Sequence, residues 1–327
     1  MTATITRRVG QAVVTLVVGS VLVWALLALA PGDPARRILA AGGVAHPTAA
    51  QVEAKNAELG LTGHPTVRYG RWLADAVRGD LGTSWATGRP VAHELGTRLP
   101  ATLRLAATAV GLSLSVAMLL AMAAAAGAGR WLDGIIRVVS ATAVVVPSFV
   151  VGLALLHVVV LRLGHLRIIS DGSWGTVGLP ALTLALATAA SWSRLLRAGL
   201  LHAHGAPHAE VSRARGASRL RLLVVHDLPG ALVPFLTVVG TGVAALLGGA
   251  PIVETVFTWP GVGRFAVQAI TARDLPVVQG YILLAIAAYV AVSLVVDLVA
   301  VAIDPRLAAG PHRVPARSGW WRPRSWS

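Results

Sequence analysis

Apolar residues in this chain come in long unbroken runs, not short amphipathic stripes. Val9–Ala30 is 22 residues without a charge, Leu105–Ala126 another 22, Val138–Leu161 24 and Leu228–Val253 26. Val177–Ser193 is shorter, 17 residues between Asp171 and Arg194, and Leu275–Val296 is 22, running past Asp297 to Ile303. About 20 mostly apolar residues in a helix cross the hydrocarbon of a bilayer. The pattern predicts six spans and an all-α membrane protein. The first run has some marks of a signal peptide, since Arg7 and Arg8 precede it and Ala28-Leu29-Ala30 resembles a cleavage site. Its length exceeds the roughly 7–15 residues of such a core, and Pro31 would come directly after the cut, so a retained helix is expected.

The longest polar stretch separates the first two runs. Thr48-Ala-Ala-Gln51 has the form of a capping box, predicting a helix that ends near Leu59-Gly60. A second helix is predicted after Pro65, with Tyr69, Trp72, Leu73, Ala76 and Val77 on one face and Gly79 after it. Such a stripe packs on the tops of the spanning helices more readily than it contacts a ligand. Pro100 reads as the start of span two. After Asp304, four prolines and three tryptophans lie among basic residues, a composition for a disordered or interfacial tail.

Composition agrees with the runs. The chain is 55% hydrophobic and only 13% charged, with a mean hydropathy of +0.71, which excludes an ordinary soluble enzyme. It has no cysteine, hence no disulfide framework, thiolate metal site or cysteine nucleophile. The net charge of +14 comes from 28 basic residues, Lys55 being the only lysine. With the N-terminus inside, residues 1–8, 127–137, 194–227 and 304–327 carry 15 arginines, against four in the short loops 162–176 and 254–274. That asymmetry predicts both termini in the cytoplasm and residues 31–104 mostly outside. The basic charge is then a matter of topology; no basic stripe interleaved with aromatics suggests nucleic acid.

Catalytic signatures are missing: there is no phosphate-binding G-x-x-x-x-G-K-[ST], no HExxH and no G-x-S-x-G. His202, His204 and His208 cluster in "HAHGAPH", which reads as the end of a polar helix and not as a metal site. Asp297 is the one acid deep in a run and has no aspartate partner for intramembrane proteolysis. A carboxylate there is costly unless it faces the bundle interior, so it is expected to serve helix packing near Arg194 or Arg197. Glu254, closing span five before the Pro260-Gly261 turn, is expected at the outer mouth of a path; a helix-end or loop hydrogen bond is the alternative.

The loop after span four carries Glu210-Val211-Ser212-x-x-x-Gly216, then nine residues, then His226-Asp227-Leu228-Pro229. This resembles the E-A-A-x-x-x-G-x(9)-I-x-L-P signature of ABC importer permeases, departing from it at Val211, Ser212 and His226. Eight further segments, in order, resemble the dipeptide/oligopeptide/nickel permeases: "APGDP" at 30–34, "GDLGTSWATGRPV" at 79–91, "LPATLRLA" at 99–106, "VVPSF" at 145–149, "LPALTLAL" at 179–186, "ETVFTWPGVGRFAVQAI" at 254–270, "RDLPVVQG" at 273–280 and "VVDLVAVAIDPR" at 295–306.

The resemblance implies a type I ABC importer permease fold. Residues 1–96 would form an N-terminal helix and a small outside helical segment, 97–306 the permease core, and 307–327 a basic cytoplasmic tail. It implies a non-catalytic, multi-pass subunit of the plasma membrane, with no cofactor of its own because ATP binds to partner subunits. Those partners would be a second, similar permease, two cytoplasmic ATPases and an outside solute-binding protein, all in contact with membrane lipid. The 210–229 loop would dock on an ATPase, with Gly216 turning between two short helices and Pro229 ending the second one. The cargo would be a di- or oligopeptide, or alternatively nickel or a metal chelate. A stand-alone secondary transporter or channel would show broken-helix repeats or several buried charges instead.

Overall fold

The computed structural model describes residues 2–28, 33–162 and 170–303, which are helical apart from turns and one isolated bridge between Thr83 and Pro90. Helix α1 is Thr2–Ala28. Three short helices come next, each with a local reason to start: α2 (Pro34–Ala41), α3 (Ala49–Glu58) and α4 (Pro65–Val77). Asp33 caps α2 by accepting from the Ala35 N–H at 3.0 Å. In α3 the predicted capping box is present: Thr48 Oγ1 accepts from Gln51 N, and Gln51 Oε1 from Thr48 N at 2.9 Å. The chain leaves α3 through Leu59 and a left-handed Gly60. The α4 stripe packs in part on α1: the Tyr69 hydroxyl lies 2.9 Å from Ser20 Oγ, and its ring meets Trp24 edge-on at 5.7 Å. Val77, expected on the same face, is exposed.

The bundle proper is α5 (Val91–Ala126), α6 (Trp131–Val145), α7 (Ser148–Leu155), α8 (Gly178–His204), α11 (Leu228–Val256) and α13 (Leu275–Ile303). Between them lie α9 (Pro207–Ala214), α10 (Arg219–Arg221) and α12 (Val262–Ala272). Helix α8 is central, packing on α5, α6, α7 and α11. Its contact with α5 is built from small side chains every fourth position: Ala109, Ser113, Ala117 and Ala121 face Ala181, Ala185 and Ala189, all buried. Small residues let two helices approach closely where no water is present to drive them together. One cluster of the core (Leu105, Leu184, Val253, Phe257, Trp259) lies at the end where α11 finishes. Another (Trp192, Leu196, Leu200, Leu223, Phe235) lies at the end where α9 and α10 project. We call these the cap end and the hairpin end.

Four helices are long and apolar enough to cross a membrane, five if α6 and α7 count as one, and α1 adds a shorter apolar stretch, Gly10–Ala25. Three expectations change. The run Val138–Leu161 is not a straight span, because α6 and α7 meet at 101°. Pro147 has no N–H to continue α6 and holds Val146 extended (φ −74°, ψ 122°). The chain then widens into a π-helical stretch, Leu156–Arg162. Span two starts fourteen positions before its apolar run, at Val91, and Pro100 lies inside α5. Its polar first turns are supported by an i,i+4 ion pair between Glu94 and Arg98. Pro229 also ends no helix: it sits in the first turn of α11, after a π-helical stretch, Leu222–Asp227, that runs on from α10. The C-terminal tail and Asp304 lie outside the described residues.

Candidate functional site

At the hairpin end, α8 stops at Gly205 and Pro207 begins α9, whose first turn carries Glu210. A carboxylate there meets the positive end of the helix dipole. Gly216 turns the chain at φ +82°, its N–H bonded to Arg213 O at 2.9 Å. A Cβ on Gly216 would meet nothing within 4 Å, so the backbone conformation alone calls for glycine there, without any close approach. Ser218 caps α10, and the π-helical stretch puts Leu222 and Leu223 into the core. Proline explains the wide turn: in an unwidened helix the Pro229 ring would press on the carbonyl four residues back.

Glu210 and Val211 are exposed, Ser212 and Leu228 half-buried, and Gly216 and Pro229 exposed. Leu220, Val224 and Val225, which sequence reasoning did not single out, are exposed beside them. Their signal was available as apolar residues in an arginine-rich loop. Asp227 is different: it is fully buried, accepting from His204 Nδ1 at 2.7 Å. A carboxylate therefore stands beside His204, 23 residues away in sequence. No metal-holding group of three His, Cys, Asp or Glu side chains exists among the described residues. Two arginines fasten the hairpin to helix ends: Arg213 donates to His204 O at 3.0 Å and Arg219 to Ala125 O at 3.4 Å.

At the cap end, Glu254 does not face an opening. It is fully buried near the end of α11, and its oxygens accept from Thr102 Oγ1 at 2.6 Å and Arg264 N at 2.8 Å. Thr102 Oγ1 in turn accepts from Val262 N at 2.9 Å. The loop hydrogen-bond reading of Glu254 is therefore the one the geometry has, because the turn after α11 folds back over the carboxylate. Thr258 makes that turn in the left-handed region (φ 50°), and Trp259 N bonds Glu254 O at 2.8 Å. Trp259 is fully buried and donates through Nε1 to Ala101 O at 3.0 Å. Gly261 has no side chain because a Cβ there would collide with the Glu254 carboxylate. Pro260 covers Gly172, whose carbonyl accepts from Arg104. Next to it, hydrogen bonds from Ser173 and Thr176 hold the Asp171 carboxyl down at about 2, so this loop stays ionised at any physiological pH.

A second acid, not predicted as functional, ties the 79–91 segment to the bundle. Asp274 comes after a left-handed Arg273 and accepts from Ser84 Oγ at 2.5 Å, Trp85 N at 3.1 Å and Ala86 N at 3.2 Å. Next to this loop is a cavity of about 1070 Å³, bordered by Arg36, Arg37, Glu53 and Arg68 from the N-terminal helices. Asp297 lies on α13; its side chain is outside the described residues. Of its two expected partners, Arg197 makes a two-pronged bond with Asp133 on α6, both distances 2.6 Å.

Comparison with known proteins places these features. The family described as "Binding-protein-dependent transport system inner membrane component" matches residues 117–309, and its N-terminal companion family matches residues 1–106. The glutathione transport system permease protein GsiC of Escherichia coli O6:H1 (strain CFT073) is 35% identical over 301 residues, covering 92% of this chain and 97% of that protein. GsiC of Escherichia coli K12 is 34% identical over the same shares. Among solved structures, an amino acid ABC transporter with histidines is similar at a TM-score of 0.49 and 18% identity, over 65% of this chain and 94% of that one.

Proposed function

Because the chain belongs to the binding-protein-dependent inner-membrane permeases of the peptide/oligopeptide/nickel group, we propose that it forms one side of the membrane path for a small peptide, with glutathione the first candidate. As a permease subunit it is a multi-pass inner-membrane protein of an ABC importer, non-catalytic in itself, and the family name implies a binding protein and ATPases. The relatives' identity along nearly the whole chain supports the peptide reading. Nickel or a metal chelate is the alternative cargo within the group.

The observation that carries the mechanism is the hairpin: short, exposed, turned by Gly216, and fastened through Asp227 and His204 to the ends of α11 and α8. In this reading Glu210, Val211, Ser212 and Gly216 meet an ATPase, and Asp227, Leu228 and Pro229 pass its movement to α11. ATP binds only on the partner subunits. The hairpin end is cytoplasmic, as are both termini, and the cap end with residues 31–96 faces the binding protein. Core 97–306 and tail 307–327 keep to the same division. Glu254, Pro260 and Gly261 hold the outer closure in shape without touching the solute.

Uptake tests the cargo. The permease is expressed with its genomic neighbours in cells lacking their own glutathione and dipeptide importers, and labelled glutathione, dipeptide and nickel are offered in turn. Accumulation of glutathione or dipeptide that stops on loss of the ATPase is expected. Accumulation of nickel alone overturns the peptide reading. Tags at Thr62 and after Ser327 should label from opposite sides, the first from outside; labelling from one side overturns the topology.

A further inference from the structure

Near the hairpin end a groove of about 540 Å³ runs between α6 and α8, lined by Gly134, Arg137, Val138 and Ala141 from one helix and Arg194 and Arg197 from the other. The α6 residues stand at i, i+3, i+4 and i+7, a single helix face. Three guanidiniums share it with one carboxylate, Asp133, which is buried and gripped at two points by Arg197. Asp133 also accepts from Gly129 N at 3.2 Å. Arg197 is thus fixed and neutralised, while Arg137 and Arg194 extend exposed over the groove. Gly134 widens it: a Cβ there would meet nothing within 4 Å, and its backbone is ordinary helix. Packing gives no reason for a residue that weakens a helix by about 1 kcal/mol relative to alanine.

The flank of the groove is apolar. Trp131, Leu132, Ile135, Val138 and Val139 are all exposed on α6. Trp131, at the start of the helix, has the character of a residue at the headgroup level. Arg137 lies six residues further, about 9 Å along the axis, within reach of the same level for a long side chain. Paired cations above an apolar slope match an anionic phosphodiester with two acyl chains.

We propose that this groove is a binding site for an anionic phospholipid. The phosphate lies between Arg137 and Arg194, the chains lie along Ile135, Val138 and Val139, and Gly134 leaves room for the glycerol. The bound lipid would hold α6 against α8 beside the hairpin. This is independent of which solute crosses the membrane.

The test is native mass spectrometry of the whole transporter in detergent, titrated with phosphatidylglycerol and, separately, with phosphatidylcholine of the same chains. The wild type should retain one phosphatidylglycerol in preference to phosphatidylcholine. In Arg137→Gln/Arg194→Gln that binding should weaken about twenty-five-fold, each arginine contributing about a factor of five. Gly134→Leu should lose it with every charge in place, and Gly134→Ala should keep it, which separates a filled groove from a damaged fold. Equal retention by wild type and the double variant overturns the site, as does equal binding of the two lipids. Displacement of the lipid by inorganic phosphate would give the groove to free phosphate, and displacement by an anionic solute would make it part of the path; either result overturns a lipid site.

Discussion

The two ends of the bundle treat a buried aspartate in opposite ways. At the cap end Asp274 accepts three hydrogen bonds from one short segment, two of them from backbone donors. At the hairpin end Asp227 is more deeply buried, yet only Oδ2 has a partner, the ring of His204, and Oδ1 has none. The cap end is locked by donors that cannot move without unfolding a turn. At the hairpin end the side-chain hydrogen bonds are one from a ring nitrogen and two from arginines to carbonyls, beside the buried Leu222 and Leu223. By hydrogen-bond satisfaction of its buried aspartate, the cap end is the more firmly held of the two.

Substitutions can break this contrast. The largest effect on stability is expected from Gly261→Val, which drives a side chain into the Glu254 carboxylate. We expect a loss of about 4 kcal/mol or more, seen as failure to survive mild heating in detergent; a normal melting profile would show that the cap is not rigid. Next is one change made at both ends. Asp274→Asn turns an amide NH₂ toward groups that are themselves donors and should cost about 2–3 kcal/mol. Asp227→Asn can place its NH₂ where Oδ1 has no partner and should cost less than about 1 kcal/mol. Equal losses in urea or thermal melts would erase the distinction between the ends.

A small effect on stability, and the largest on function, is expected on the exposed edge of the hairpin. Glu210→Lys touches no internal contact, and Gly216→Asp meets only backbone strain of about 1–2 kcal/mol. Both proteins should insert and melt nearly as the wild type while solute-stimulated ATP hydrolysis falls to its unstimulated rate. Normal stimulation in proteoliposomes would remove the hairpin from coupling.

Much of the architecture was legible in the sequence, and the failures have physical causes. Apolar runs located the four helices long enough to cross a membrane, and the Thr48–Gln51 capping box and the Gly216 turn were readable because each is settled within a few residues. Hydrophobicity placed the start of α5 too late because charges can prolong a helix when they pair along it, as Glu94 and Arg98 do. The 101° break was written in Pro147, but an apolar run alone does not say whether a proline bends a span or merely punctuates it. The partners of the buried acids were out of reach. Glu254 meets Thr102 across 152 positions, and Asp274 meets Ser84 across 190. Nothing local to Glu254 distinguishes an acid that lines an opening from one that a loop has closed over.

The widened turn Leu222–Asp227 also sets a bearing. Each residue of an ordinary helix advances the chain by about 100° around its axis. A stretch wound with one residue more per turn therefore changes the compass direction in which everything before it points, while the helix after it stays where it is. Removing one residue from it would leave α11 seated as it is and swing the hairpin about a quarter of a circle. Glu210 and Val211 would then face a different neighbour, so the length of this stretch sets the heading of the proposed docking surface as its side chains set the grip.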